Sequence, residues 1–319
     1  MKNTMRAVEY KHYGPPEVLQ LTDITKPTPG DNEVCVKIHA STVSVGTLWA
    51  RKGKHPDSRF FTLALRLMFG IRKPRKTILG YEFSGTVEQV GKSVKDFVVG
   101  DAVFGTTTGL PAGAYAEYVC VPEQWKQGVI LKKPHQCSHI EAAALPIGGM
   151  AALFLLQKAE PRPGQKILIY GASGSVGTFA TQLASNYFKL DVTGVCSTSN
   201  VEMVRTLGAH QVIDYTRDNI HQNIEEKYDI VFDAVGKLSK ATARNYLSKN
   251  GRIVSVKSPT RENTENLRLL SELLVNNELR TVIDRTYALE ELVEAHRYVE
   301  QGHKKGNVVI TIPSNIKAI

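Results

Sequence analysis

Three glycines that follow a short apolar run are the residues best suited to chemistry in this chain. The run 167–169 is Ile-Leu-Ile, and Gly171, Gly174 and Gly177 come after it. Such a run is typical of a parallel strand buried on both faces. Glycines at this spacing allow a tight turn, close approach to a pyrophosphate and close helix packing, while N–H groups at the helix start hold the anion. The stretch therefore predicts nucleotide binding.

The elements around this turn decide how it is interpreted. Its pattern is Ala172-x-Gly174-x-x-Gly177, with alanine in place of the first glycine of the usual motif, and a glycine turn alone is a weak signal. The segments that follow alternate between helix and strand patterns: helix 178–188, strand 191–196, helix 201–207, strand 211–215, and strand-and-turn units at 228–236 and 251–256. This alternation predicts an α/β fold with a doubly wound parallel sheet of the Rossmann type. The alternative is an α/β domain whose glycines serve only packing.

The end of the second strand bears on which dinucleotide is bound. Sites that prefer NAD usually carry Asp or Glu there to bond the ribose 2′-hydroxyl, and this chain has Cys196, Ser197 and Thr198 instead. Because no carboxylate at that position repels a 2′-phosphate, the sequence favours NADPH, with Ser197 and Tyr215 near the phosphate. Arg205 either adds a cation to this site or belongs to a solvated helix face.

Composition and cysteine spacing bound the class of protein. The 319 residues, 42% of them hydrophobic, predict a soluble globular protein of two domains. The four cysteines lie far apart, without a C-x-x-C pair or a histidine at ligand spacing. We therefore expect neither a disulfide framework nor a metal site, and a cytoplasmic location. The first ten residues contain no apolar run long enough for a signal sequence, and the longest apolar run, 142–156, is too short to cross a bilayer.

The N-terminal third follows a different pattern from the centre. Alternating segments at 33–39, 83–90 and 114–121 are separated by Gly and Pro turns, which is typical of antiparallel strands in a small barrel-like domain. A helix at 265–276 and a final strand at 307–312 end the chain, and that strand is expected to rejoin the first domain. The predicted boundaries are 1–125 for the first domain, 126–262 for the dinucleotide-binding domain and 263–319 for the return to the first domain.

Landmarks spread over the whole chain carry a family resemblance. They are Met5-Arg-Ala-Val8, the segment 80–91 (Gly-Tyr-Glu-Phe-Ser-Gly-Thr-Val-Glu-Gln-Val-Gly), the segment 100–105 (Gly-Asp-Ala-Val-Phe-Gly), Ala114-Tyr-Ala-Glu117, Ala144-Leu-Pro146, the glycine turn and Leu207-Gly-Ala209. With these the chain resembles the medium-chain dehydrogenase/reductase superfamily, in its zinc-free, zeta-crystallin-like quinone oxidoreductase branch. The resemblance implies a mainly β, GroES-like catalytic domain split around a Rossmann domain, an active site in the cleft between them, and commonly a homodimer.

The same resemblance implies catalysis without a metal. Zinc-dependent relatives carry a cysteine where this chain has Ser44, and the histidine of their Gly-His-Glu motif falls at Tyr81. Their later cysteine has no counterpart at 145–148. A catalytic zinc needs three such ligands, so an alcohol mechanism that depends on zinc polarisation is not expected.

A reductase without zinc depends on an acceptor that takes hydride readily. Quinones and α,β-unsaturated carbonyl compounds meet this need because the carbonyl delocalises the arriving charge, and one donor or a water supplies the proton. The candidate catalytic donors are Tyr81, His55 and Ser44, with Thr47 beside them; related enoyl reductases carry a tyrosine acid about where His55 stands. The alternatives are that Tyr81 packs in the core and that His55 lies in an exposed loop.

The resemblance also assigns contacts to the cofactor. The expected pyrophosphate contacts are Gly171, Ser173, Gly174, Ser175, Val176 and Gly177, and the remaining cofactor contacts are Cys196, Ser197, Tyr215, Val235, Val256 and Asn307. Among these, Val235 is expected on the adenosine or nicotinamide-ribose side and Val256 at the nicotinamide end. Ala151 and Asn307 stand where relatives often carry threonine and lysine, so both sites lose a usual polar contact. Ser44 stands where quinone reductase relatives usually carry asparagine.

Charge is concentrated in one segment. Residues 51–76 contain nine Lys or Arg and one acid, so they contribute +8 of the chain's net +9. Within the segment, 59–69 resembles a short, strongly apolar helix. It is either a lid over the substrate cleft, a membrane-surface contact, a subunit contact or a solvated charge run. Nucleic-acid binding is not expected from one basic loop without a recognised motif.

Two functions are compatible with these residues. The first is an NADPH-dependent reductase of quinones or α,β-unsaturated carbonyl compounds. The second is an NADPH-binding regulatory or interaction protein with little turnover, which the absence of the usual asparagine at Ser44 and lysine at Asn307 favours weakly. Acceptor-dependent oxidation of NADPH distinguishes them.

Overall fold

A computed structural model describes residues 4–55, 58–217 and 226–313. Their strands are β1 (Thr4–Glu9), β2 (Gln20–Thr25), β3 (Glu33–Val43), β4 (Glu82–Val90), β5 (Ala102–Thr106), β6 (Tyr118–Pro122), β7 (Ile130–Lys132), β8 (Lys166–Tyr170), β9 (Asp191–Cys196), β10 (Gln211–Asp214), β11 (Tyr228–Asp233), β12 (Leu247–Ser255), β13 (Ile283–Ala288) and β14 (Asn307–Thr311). Their α-helices are α1 (Val45–Lys52), α2 (Arg59–Phe69), α3 (His139–Ala143), α4 (Pro146–Lys158), α5 (Ser175–Gln182), α6 (Val201–Thr206), α7 (Lys240–Tyr246), α8 (Thr264–Val275) and α9 (Leu292–Glu300).

The described residues fall into two compact units. Those of Met1–Pro146 and Ile283–Ile319 form the first unit, and those of Ile147–Val282 form the second. The units therefore end later in the chain than the boundaries expected at 125 and 262. Helix α3 belongs to the first unit because it packs against β3 and β4. Helix α8 belongs to the second unit.

The long strand β3 organises the first unit. Its first half, 33–37, pairs with β6 and its second half, 40–43, pairs with β14, both antiparallel, while β4 runs along its other edge. The described sheet continues through β5 to β7 on one side and from β14 to β13 on the other. The pairing of β14 with β3 confirms that the last strand rejoins the N-terminal unit.

The second unit contains a parallel sheet in the order β10-β9-β8-β11-β12. In chain order this is 3-2-1-4-5, so the strand order reverses beside the central strand β8, as in doubly wound folds. The side chains of the run 167–169 in β8 are fully buried, as are Val231 and Phe232 in β11. The continuous apolar strands thus lie at the centre of the sheet, which confirms the predicted fold class.

Two predicted elements differ from those observed. The predicted helix 178–188 is α5 followed by a π-helical turn, Leu183–Tyr187. The predicted strand 114–121 begins only at Tyr118, because the backbone before it bonds elsewhere: the Tyr115 N–H donates to the Leu79 carbonyl and the Glu117 N–H to the Arg6 carbonyl. None of the described helices combines the length and the apolar character that crossing a bilayer requires.

Candidate active site

The turn between β8 and α5 depends on glycine at two positions. Gly171 has a φ of +83°, and a Cβ placed on Gly177 would lie 2.1 Å from the Gly171 carbonyl oxygen. Helix α5 can therefore begin directly against the end of β8 only because Gly177 has no side chain. This close approach was expected from the sequence.

Gly174, unlike Gly177, lies beside open space. It is the N-cap of α5, with φ −78° and no side-chain hydrogen bond to the cap, and a Cβ placed on it would meet nothing closer than the Gly171 oxygen at 3.7 Å. Space is therefore open beside the first turn of α5, where a helix has N–H groups without internal acceptors. Ser173, Ser175 and Val176 are half-buried. The turn fits a bound pyrophosphate.

The other strand ends lie at the same edge of the sheet as this turn. Ser197 follows β9, Tyr215 follows β10, Val235 lies just beyond β11, and Val256 follows β12. Tyr215 and Val235 are 49% and 45% exposed, so their side chains are accessible to a ligand. The second unit thus brings together all the predicted cofactor contacts except Asn307.

Asp233 shapes the turn that carries Val235, a role that the sequence reasoning missed. This carboxylate is 1% exposed and accepts hydrogen bonds from the N–H groups of Val235 and Gly236 at 3.2 and 2.8 Å. It also accepts from the Ser255 hydroxyl at 3.1 Å, which links the ends of β11 and β12. The signal was present in the sequence: an Asp two and three residues before the bonded N–H groups is typical of a turn.

Asp214 is a second carboxylate that the sequence reasoning missed. It ends β10, and its side chain accepts a hydrogen bond from the Thr198 hydroxyl at 2.5 Å. Although desolvation alone would raise it, hydrogen bonds from Thr198 and Thr216 hold the pKa of this carboxyl below its usual value. The position after β9 has no carboxylate, as read from the sequence, but its neighbour β10 supplies one.

The residues after β9 are largely engaged with each other. The Ser197 hydroxyl accepts from the Asn200 amide at 3.0 Å and lies 3.3 Å from the Ser199 hydroxyl. Cys196 is fully buried, and burial raises the pKa of its thiol to about 11. The nearby cations are the exposed Arg205 and Arg217, of which Arg217 lies 3.7 Å from Asp214.

Ser44, in the first unit, has a structural role at the start of α1. Its hydroxyl accepts from the Thr47 N–H at 3.4 Å, and its own N–H donates to the Thr47 hydroxyl at 3.2 Å, which is a reciprocal cap. Thr47 is buried, and the Tyr115 hydroxyl lies 3.3 Å from its oxygen. Both threonine and serine hydroxyls therefore stabilise this helix start.

Tyr81 lies close to Ser44. A Cβ placed on Gly46 would be 3.5 Å from the Ser44 oxygen and 3.6 Å from Cε2 of Tyr81, so both side chains flank that glycine. Burial raises the pKa of Tyr81. The antiparallel register that pairs Val308 with Val43 brings Asn307 opposite Ser44. Ser44, Tyr81 and Asn307 are therefore neighbours.

Lys76 adds a cation that the sequence reasoning did not single out. Its side chain is 8% exposed, and its ammonium lies 5.3 Å from the centre of the Tyr81 ring. Because burial disfavours the charged form, the pKa of Lys76 is lowered to about 8. A buried lysine therefore lies beside the half-buried ring of Tyr81.

His55 lies in an aromatic stack. The centre of its ring is 4.5 Å from that of Trp49 and 5.3 Å from that of Phe61. The backbone N–H of His55 donates to the Thr62 hydroxyl at 3.0 Å. It is half-buried, so the loop position considered from the sequence is partly covered by α1 and α2.

Comparisons with known proteins identify the family. Residues 30–135 match the alcohol dehydrogenase GroES-like domain, and residues 207–266 with 258–310 match the zinc-binding dehydrogenase family. The 2-methylene-furan-3-one reductase of Solanum lycopersicum is 31% identical, over 96% of this chain and 79% of its own. The chain belongs to the medium-chain dehydrogenase/reductase superfamily.

Two further relatives place the chain within this superfamily. The chloroplastic NADPH-dependent alkenal/one oxidoreductase of Arabidopsis thaliana is 29% identical, over 96% of this chain and 79% of its own. The solved structure of the quinone oxidoreductase of Coxiella burnetii is 29% identical with a TM-score of 0.83, covering 97% of this chain and 100% of that chain. The predicted combination of a GroES-like domain with a Rossmann domain is confirmed.

The zinc implied by the name of the second matching family does not fit the donors described here. Among residues 4–55, 58–217 and 226–313, no group of three or more His, Cys, Asp and Glu side chains could hold a metal ion. The family resemblance implies that two ligand positions carry the hydroxyls of Ser44 and Tyr81, whereas catalytic zinc sites use thiolate, imidazole or carboxylate ligands.

We predict that Gly177→Ala destabilises the protein and that Gly174→Ala does not. The added methyl on residue 177 would press on the Gly171 backbone, and such overpacking costs about 2 kcal/mol or more. The methyl on residue 174 would enter open space. The measurement is the thermal unfolding midpoint without ligand, and equal midpoints for the two variants would contradict the close approach.

We also predict that Lys76→Met changes how stability depends on pH. The pKa of Lys76 is about 8 in the folded state against an ordinary value of 10.5, so the unfolded chain binds more protons between those values and wild-type stability rises with pH there. Lys76→Met lacks this titrating group, so its free energy of unfolding relative to that of wild type should fall by roughly 3 kcal/mol from pH 7.5 to 10.5. Urea unfolding measures it, with exposed Lys73→Met as control; a constant difference would refute the prediction.

Proposed function

We propose that this chain is a zinc-independent, NADPH-dependent reductase that transfers hydride to a quinone or to an α,β-unsaturated carbonyl compound. The glycine turn carries the proposal, because Gly174 leaves room beside the first turn of α5 at the edge where the parallel strands end. The relatives include an alkenal/one oxidoreductase, a 2-methylene-furan-3-one reductase and a quinone oxidoreductase, which supports this class of acceptor.

The residues of the second unit bind the cofactor in this proposal. The turn from Gly171 to Gly177 holds the pyrophosphate through backbone N–H groups, and Val235 and Val256 contact the nucleotide beyond it. Ser197 and Tyr215 lie at the 2′-phosphate. The charge of Asp214 is offset there by hydroxyl donors and by Arg217.

Preference for NADPH follows from the balance of charge at this end of the sheet. Beyond β9 and β10, Arg205 and Arg217 supply two exposed cations beside the buried carboxylate of Asp214. The other buried carboxylate at this edge, Asp233, accepts hydrogen bonds from the backbone N–H groups of Val235 and Gly236. A 2′-phosphate gains charge-assisted hydrogen bonds from arginine, whereas a 2′-hydroxyl gains less from it.

Tyr81 supplies the proton in the proposed reaction. Bound NADPH provides the hydride, and the acceptor then carries a developing negative charge on oxygen. A tyrosine hydroxyl is protonated at neutral pH and can donate, and burial, which raises the pKa of Tyr81, keeps it in that form. Ser44 holds the start of α1 beside Tyr81, so we assign it a positioning role, and His55 is the second candidate donor.

A homodimer and a cytoplasmic location complete the proposal. The homodimer is proposed because members of the superfamily commonly form homodimers. The location is supported by free thiols at Cys35, Cys120, Cys137 and Cys196. Cys35 and Cys120 are direct partners across β3 and β6, and a reducing compartment keeps such a pair as thiols.

We predict oxidation of NADPH that depends on an acceptor, followed by absorbance with an ortho-quinone, a para-quinone, an enone and an enoyl thioester. NADH should bind more weakly than NADPH. Gly174→Ala should weaken NADPH binding by about tenfold or more, since its methyl interferes with charge-assisted hydrogen bonds, while its unfolding midpoint stays that of wild type. Tight NADPH binding without turnover would favour the regulatory alternative, and absence of binding would overturn both.

Tyr81→Phe should reduce kcat with the enone by about 100-fold, the usual contribution of a general acid. The effect on the para-quinone should be smaller, because water can protonate its product. Tyr118→Phe, which removes a hydroxyl on β6, is the control. Loss of rate in His55→Gln instead would transfer the role to that residue, and unchanged rates in both variants would reject the pair.

A further inference from the structure

Helix α2 presents an apolar face to solvent. Phe60, Leu63, Leu67 and Met68 are 75%, 57%, 57% and 65% exposed, and Ile71, just beyond the helix, is 62% exposed. None of the helix residues is buried. Their spacing places them along one side of the helix. Exposed apolar residues that form a continuous patch usually mark an interaction site.

The opposite side of α2 attaches it to the first unit. The Arg66 guanidinium donates to the Gly53 carbonyl at 2.7 Å and lies 3.9 Å from the centre of the Tyr13 ring. The Thr62 hydroxyl accepts from the backbone N–H of His55 at 3.0 Å, and Phe69 packs against the core. The helix therefore has a defined inner side, and its exposed side has no partner among the described residues.

Both ends of the apolar face carry exposed cations. They are Lys54 and Arg59 before it and Arg72, Lys73 and Arg75 after it. None of these five has an ion-pair partner among the described residues. Asp57, the single acid between residues 51 and 76, lies outside the described residues. An apolar strip flanked by exposed cations at both ends results.

We propose that this α2 surface, formed by Phe60, Leu63, Leu67, Met68, Ile71 and the five cations, docks on the surface of an anionic lipid bilayer. Apolar side chains of such a helix enter the boundary between headgroups and acyl chains, while Lys and Arg remain at the phosphates. The inference goes beyond the proposed function, since docking requires neither cofactor nor turnover.

Charge distinguishes the bilayer from other occupants. A two-fold contact between copies places the same surface of each subunit against the other, which would bring the two sets of cations together. A lid would cover the apolar side chains, and these are the most exposed large apolar residues of the segment. A bilayer with anionic headgroups complements the cations and the apolar strip at the same time.

Sedimentation with lipid vesicles tests the proposal. The full chain should bind vesicles of phosphatidylcholine containing about one third phosphatidylglycerol at about 0.1 M salt, and binding should fall steeply at about 0.5 M salt. Vesicles of phosphatidylcholine alone should bind far less. Absence of binding to the anionic vesicles, or equal binding to both kinds, would overturn the proposal.

Two variants separate the apolar and the basic contributions. Phe60→Ser with Leu67→Ser should weaken binding by about 100-fold, and Arg72→Gln with Lys73→Gln and Arg75→Gln should weaken it similarly at low salt only. The controls carry the same kinds of change at other exposed positions: Val98→Ser with Val99→Ser, and Lys126→Gln with Lys249→Gln and Arg268→Gln. These should bind within about twofold of wild type. Variants that bind like wild type would overturn the assignment.

The variant Phe60→Ser with Leu67→Ser also tests two other roles for the α2 surface, a contact between subunits and a cover over the substrate site. If Phe60→Ser with Leu67→Ser dissociates a dimer in light scattering, the α2 surface is a contact between subunits, and the proposal is wrong. If the variant loses turnover with a water-soluble enone in the absence of lipid, the surface covers the substrate site, and the proposal is again wrong. Unchanged mass and unchanged turnover, with loss of vesicle binding, support it.

Discussion

The contact between Gly177 and the Gly171 carbonyl is the constraint on which the second unit depends. A helix that starts so close to the end of a strand directs its first-turn N–H groups to the edge where the neighbouring parallel strands also end. The turns after β9, β10, β11 and β12 then surround the same point. A side chain on residue 177 would move α5 away from β8, and the anion site would lose its geometry together with its packing.

Hydroxyl groups have a comparable role in the first unit. Ser44 and Thr47 cap each other at the start of α1, and the Tyr115 hydroxyl donates to the Thr42 carbonyl at 3.0 Å. These bonds fix the backbone at the start of α1, beside Tyr81. The surroundings of the proposed proton donor are therefore held by hydrogen bonds, which are stronger where water is absent.

Local signals in the sequence located most elements, and contacts between distant segments account for what was missed. Helix α2 could be bounded because Ser58 and Gly70 flank its apolar pattern, and both act as caps. Asp214 and Lys76 gave no such signal. Asp214 gains its role from Thr198 on a neighbouring segment, and Lys76 from the burial that follows when its loop packs beside Tyr81. Neither environment is encoded in residue type or spacing.

The α2 surface bears on how an acceptor would reach the protein. Quinones and long-chain enones partition into bilayers, so their concentration in water is low. An apolar helix face kept in water has a free-energy cost of about 25 cal/mol for each Å² exposed, and burial against lipid removes that cost. The cations at both ends of α2 lower the energy of the protein at an anionic surface and raise it at a second copy of itself. The five exposed cations beside the apolar face of α2 therefore orient the proposed docking surface toward the bilayer that holds the proposed acceptors.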